Sequence, residues 1–367
     1  MDAFTIYSMV KESHVIPSLV TMMHENKRVK RYGFTQAELD RQKAQMMSNM
    51  ERALEEKDKT ESRRYVYEYI GNFLEDEPFP GIEYEAEMMR TYLPFITLEE
   101  VNQMSYFIGK QNNLVILVTA PDKEGVEIPT ESEILEAIEE AKTAELDEYK
   151  EEAVGASLIS TELAGGMIAS EKQNETFGTT EWMLDNGVRV VLKPTDFKND
   201  EILMDAFHYG GTSVAPDDEF LSASFASDIV SQSGVGEFDN VTLRKYLTGK
   251  NVNVSPGINT LSQEMSGRSV KKDLETMFQL TYLYFTEPRK DTTAFRTFQS
   301  QMNSQFKFMM SNPRAVFYDK LYKLATQNDP RTIVIPTEEQ INNIDLDQAH
   351  DFYAARFMNA AHRRGYP

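Results

Sequence analysis

Apolar and polar positions follow two rhythms along this chain, and the change from one to the other marks the elements. Two short apolar runs, 182–184 and 188–192, flank Asp185-Asn186-Gly187. Asn-Gly between apolar runs predicts a hairpin, because both residues accept the positive φ of a tight turn. Residues 201–208 predict a further strand that ends at Gly210-Gly211. The spacing then becomes helical over 219–233 and stops at Gly234. Residues 251–259 and 264–270 predict two more strands, giving a sheet four or five strands wide. Helices are predicted over 273–285, 292–310 and 315–325. Thr337 opens another element with a capping pattern.

The first third of the chain has mostly helical rhythm. Residues 3–10 predict a strand, and Val15, Leu19, Met22, Met23 and Val29 mark a helix over 15–32. Thr35 with Glu38 predicts a capping box at the start of a second helix reaching about Glu56. The methionines of that helix read as core filling, since Met suits irregular helix interfaces. A helix over 63–73 has an aromatic face of Tyr65, Tyr67, Tyr69 and Phe73. Another runs over 82–93, and Thr97 caps one followed by acidic residues. The apolar run 113–119 suits a buried strand.

Composition narrows the classes of partner. With 367 residues the chain can hold two domains, and 41% hydrophobic with 11% aromatic residues argues for packed cores. A net charge of −21 argues against nucleic acid, which calls for clustered Lys and Arg. Cysteine is absent, which removes disulfides and thiolate chemistry. No apolar run is long enough for membrane insertion as a helix. Thirteen carboxylates against three lysines between Asp122 and Glu152 predict a solvated linker, with a weakly amphipathic helix over 133–149.

Several ordered pieces resemble the pitrilysin/insulinase family of zinc metallopeptidases. They are Leu184-Asp185-Asn186-Gly187, Tyr209-Gly210-Gly211-Thr212-Ser213, the helix ending at Gly234, and Leu243-Arg244-Lys245-Tyr246-Leu247. The order around 34–119 is similar to the back of that family's second domain. The resemblance implies an α+β fold with two partly truncated homologous domains, each a mostly antiparallel sheet packed against helices. It divides the chain into 1–120, the back half of a second domain; 121–178, an acidic helical linker; and 179–367, a third domain truncated at its C-terminus.

Active domains of the family carry an inverted zinc motif, H-x-x-E-H, with a distant glutamate completing the site. The resemblance puts the motif positions at Phe225, Asp228 and Ile229 and the distant position at Gln305. Phe225 and Ile229 have no donor atom, and zinc is held by Cys, His and carboxylates. These are therefore degenerate motif positions, and this chain alone is expected to bind no metal and catalyse nothing. Zinc is expected in a full-length parent, in an upstream domain.

Other chemistry is not signalled. His14, His24, His208, His350 and His362 form no metal-spaced pair. Gly210-Gly211-Thr212-Ser213 lacks the phosphate-loop pattern, and Ser231-Gln232-Ser233-Gly234 lacks the nucleophile turn. Two functions remain. The first is the non-catalytic portion of a zinc endopeptidase, forming chamber wall and hinge for peptide or protein substrates beside upstream and downstream domains. The second is an inactive family member acting as a peptide-binding or assembly scaffold. The family resemblance also implies export to the cell envelope in bacterial relatives.

Overall fold

The computed structural model describes residues 4–10, 14–108, 114–120, 128–151, 155 and 157–358. The fold is α+β, with antiparallel sheets packed on helices. Over its described residues the chain divides into two compact units, Met1–Met47 with Glu83–Ala153 and Ser48–Ile82 with Val154–Pro367.

The first unit is helical. It holds α1 (Val15–Tyr32), the start of α2 (Gln36–Glu55), α4 (Ile82–Tyr92), α5 (Leu98–Ile108) and α6 (Glu131–Thr143). Three capping boxes set helix starts, because each satisfies backbone N–H groups that the first turn leaves open. Glu38 N–H donates to Thr35 Oγ1 at 3.2 Å, and Glu100 N–H to Thr97 Oγ1 at 3.2 Å. Thr130 and Glu133 form the third, which starts α6 two residues before the expected position and caps it. The helix also ends six residues earlier than expected, at Thr143. Beyond it the chain is held to α1 by side chains: Tyr32 Oη donates to Leu146 O at 2.7 Å, and Arg28 Nε to Asp147 O at 3.0 Å. Leu19, Ala137 and Ile138 form the small core between α1 and α6, with Ile116 against it.

Two expected strands are absent. Residues 4–10 and 114–119 form none; Ala3 and Asn113, the first residues of the two runs, lie outside the described residues. Burial still alternates along 114–120, with Ile116 inward and Val115 and Leu117 outward. A strand requires a neighbour for its backbone groups, and among the described residues neither run has one.

The second unit carries two three-stranded sheets where one wider sheet was expected. The first joins β1 (Ile168–Asn174), β2 (Thr179–Leu184) and β3 (Arg189–Leu192) in chain order. In the β2–β3 turn only Gly187 takes positive φ, at 86°, and Asn186 does not. Gly187 N–H donates to Leu184 O at 2.9 Å and Leu184 N–H to Val188 O at 2.8 Å. The connection is thus a three-residue loop closed by a left-handed glycine, not the two-residue Asn-Gly turn. β1 is polar and exposed along nearly its whole length, and so carried no apolar signal.

The second sheet joins β4 (Ile202–Tyr209), β6 (Ser262–Ser269) and β5 (Val252–Ile258), in that order. Its register pairs Met204 with Gly267 and Val254 with Gly267, which puts these residues on one face with Met265. That face packs against α8 (Ala226–Ser233) and α10 (Leu274–Thr286). α11 (Thr292–Met310) and α14 (Leu346–Phe357) cover α8 from the other side, so α8 is enclosed. α7 (Phe220–Ser224), α9 (Asn240–Leu247), α12 (Pro313–Ala325) and α13 (Glu338–Asn342) complete the layer. The capping pattern at Thr337 forms as expected on α13. α14 starts behind an Asp345 cap, whose side chain accepts the N–H of Gln348. α3 (Ser62–Glu75) extends as expected, but its aromatic residues are exposed rather than core, with Tyr69 edge-on to Phe79 at 5.5 Å between ring centroids.

Candidate functional site

The helix expected over 219–233 is two helices. It breaks at Phe225, which takes φ −112° and ψ 6° between α7 and α8. Phe225 O accepts the N–H of Ile229 at 3.0 Å, so α8 restarts directly on that carbonyl. The break falls on the first of the four degenerate positions. Phe225 packs edge-on against Phe298 of α11, ring centroids 6.2 Å apart.

The other three positions divide between core and surface. Ile229 is 1% exposed and belongs to the main core. Asp228 keeps an exposed surface, yet the surrounding protein displaces enough water to raise its carboxyl above the ordinary value. Gln305 lies on α11, seven residues past Phe298, and is exposed rather than core-adjacent. The four positions therefore offer one carboxylate and one amide, with an aromatic pair where α8 meets α11. Zinc does not fit this set, because a closed site takes four N, O or S donors and an open one three. Among the described residues no group of three or more His, Asp or Glu is placed to hold a metal ion.

Polar side chains instead brace the turn that leads into α7. Gly211 N–H donates to Gln263 Oε1 at 3.0 Å, and Gln263 Nε2 lies 2.9 Å from His208 Nδ1. Arg331 grips the same stretch from the loop after α12. Its guanidinium donates to Asp217 Oδ1 at 2.9 and 2.6 Å and to Ala215 O at 2.7 Å, and lies 4.9 Å from the Phe220 ring centre. The sequence reading missed Arg331, and no local pattern could have supplied it, since its partner is 114 residues away. His350 is likewise structural, with Nε2 donating to Pro288 O at 3.0 Å.

Antiparallel sheets packed on helices, with α8 enclosed among them, are the fold shared with pitrilysin-fold proteases. No family model matches the chain. The zinc protease PQQL-like of Arabidopsis thaliana is 31% identical over 262 residues, covering 71% of this chain and 25% of that protein. The probable zinc protease PqqL of Escherichia coli strain K12 is 22% identical over 343 residues, covering 91% and 35%. The crystal structure of the ferredoxin protease FusC, in complex with Arabidopsis ferredoxin, superposes with a TM-score of 0.56 at 18% identity, covering 92% and 38%. This chain belongs to the pitrilysin/insulinase-like metallopeptidase family. It spans 25% to 35% of the length of the curated relatives it matches.

Proposed function

We propose that this chain is a non-catalytic portion of a zinc metalloendopeptidase-like protein. In this reading it supplies chamber wall and hinge, and the zinc site lies in an upstream domain of the same protein. Residues 1–120 act as the back of a second domain, 121–178 as the connection, and 179–367 as a third domain without its metal. The observation that carries the reading is α8 itself, where Phe225 packs on Phe298 and Ile229 enters the core. A helix used this way holds its sheet together and keeps one carboxylate, Asp228, which is too few donors for a zinc site. Substrates are peptides or proteins; FusC, whose crystal structure contains ferredoxin, is the relative that supports this.

The test is metal content after EDTA treatment and re-equilibration with zinc, run with a peptide-cleavage assay on the same sample. No retained zinc and no cleavage are expected for this chain. A longer chain reaching upstream into an H-x-x-E-H helix should hold one zinc and cleave. One tightly held zinc on the present chain overturns the reading. An upstream helix equally poor in donors, with peptide binding but no cleavage, would replace it with the scaffold function.

A further inference from the structure

The chain contains a single Asn-Gly pair, Asn186-Gly187, and the fold places it at the exposed tip of the β2–β3 hairpin. Asn-Gly is the dipeptide most prone to succinimide chemistry, because glycine leaves its backbone nitrogen unhindered. Around this pair nothing crowds the backbone: a Cβ built on Gly187 would meet no atom within 4 Å. Both reacting groups are nevertheless occupied. The nucleophile, Gly187 N–H, donates to Leu184 O at 2.9 Å, and the electrophilic amide is held through Asn186 Oδ1, which accepts from Val188 N–H at 3.0 Å.

We propose that Asn186 is a latent deamidation site that the hairpin turn silences and that opening of the hairpin releases. In the reaction Gly187 N bonds to Asn186 Cγ while the Cγ–Nδ2 bond breaks. Ammonia leaves, taking up the proton from Gly187 N–H. Water then opens the succinimide at either carbonyl, giving aspartate or isoaspartate with no redox step. Isoaspartate adds one methylene to the main chain between Asn186 and Gly187. That lengthening separates the Gly187–Leu184 and Leu184–Val188 bonds that set the register, in which Met183 faces Arg189 and Trp182 faces Val190. The modification is therefore self-reinforcing: the product cannot rebuild the turn that protected the reactant. Beyond the turn the hairpin is held by the β2–β3 ladder and by the Arg189–Glu181 ion pair at 2.9 Å, and no residue of either strand is fully buried.

The experiment incubates the full chain at mildly alkaline pH, folded and in urea, and follows the 186–187 peptide by mass spectrometry with isoaspartate detection. The folded chain should deamidate roughly tenfold or more slowly, because two hydrogen bonds must open first. Asn186→Gln, incubated in urea alongside, should give no product at this position. Equal rates in the two states, a faster rate in the folded chain, or no isoaspartate at Asn186 in urea would each overturn the proposal.

Discussion

The two sheets of the second unit have the same number of strands, the same antiparallel pairing and opposite energetics. The β4–β6–β5 sheet turns Val254, Met265 and Met204 toward α8 and α10, and Met265 is 1% exposed. Among the described residues the β1–β2–β3 sheet has no comparable helix layer packed on it; Val191 is 50% exposed and β1 is polar and exposed along nearly its whole length. Both are antiparallel ladders, and those of the β4–β6–β5 sheet are longer, but ladder length alone does not make a core. What differs is removal of apolar surface from water, the main favourable contribution to folding. One sheet is part of a core, while the other is held chiefly by its own ladder and turn.

Truncations should break this comparison most visibly. Met265→Ala should cost about 2–5 kcal/mol in urea denaturation, since the site is enclosed and leaves a cavity. A cost near zero would show that the sheet relaxes over α8 and α10. The two turn glycines give the next contrast. Gly234 has φ 90° and an added Cβ would lie 2.2 Å from Phe238 O, whereas Gly187 has φ 86° and open space. Both Ala variants incur left-handed strain of about 1–2 kcal/mol, and Gly234→Ala adds a backbone clash. Gly234→Ala should therefore destabilise distinctly more than Gly187→Ala; equal effects would remove the clash from the account.

A smaller effect concerns Asp228, whose carboxyl is raised by desolvation above the ordinary 3.8. The folded state holds this proton more tightly than the unfolded state does. Its contribution to stability is thus fully present below 3.8 and is lost as pH rises through the higher folded value. Asp228→Asn should remove that slope, gaining stability relative to the parent on going from acid to neutral pH. Parallel profiles in urea titrations across that range would sink the assignment. The least effect is expected on the open sheet, where Val191→Ala should stay within about 0.5 kcal/mol. A larger loss would mean that an apolar surface not seen among the described residues covers β3.

Much of the fold was legible because local chemistry decided it. The α1 boundaries follow from apolar spacing, and the Thr35–Glu38, Thr97–Glu100 and Thr337–Gln340 pairs cap their helices as spacing required. The Phe225 break was not legible, since its neighbours read as one continuous helix, and the ring's partner Phe298 is distant in sequence. β1 was missed for want of apolar residues, and 114–119 was overread because an apolar run says nothing about a pairing neighbour.

The sequence by itself determined the helix starts capped by Thr35, Thr97 and Thr337, the hairpin at Asn186-Gly187 and the lack of zinc ligands at Phe225 and Ile229. Side chains at Phe225 and Ile229 lack donor atoms in any conformation. Only the tertiary structure decided which strands acquired partners, which sheet became core, and that Phe225 ends one helix and braces another. Those outcomes rest on burial and pairing between residues far apart in the chain, which no local pattern encodes.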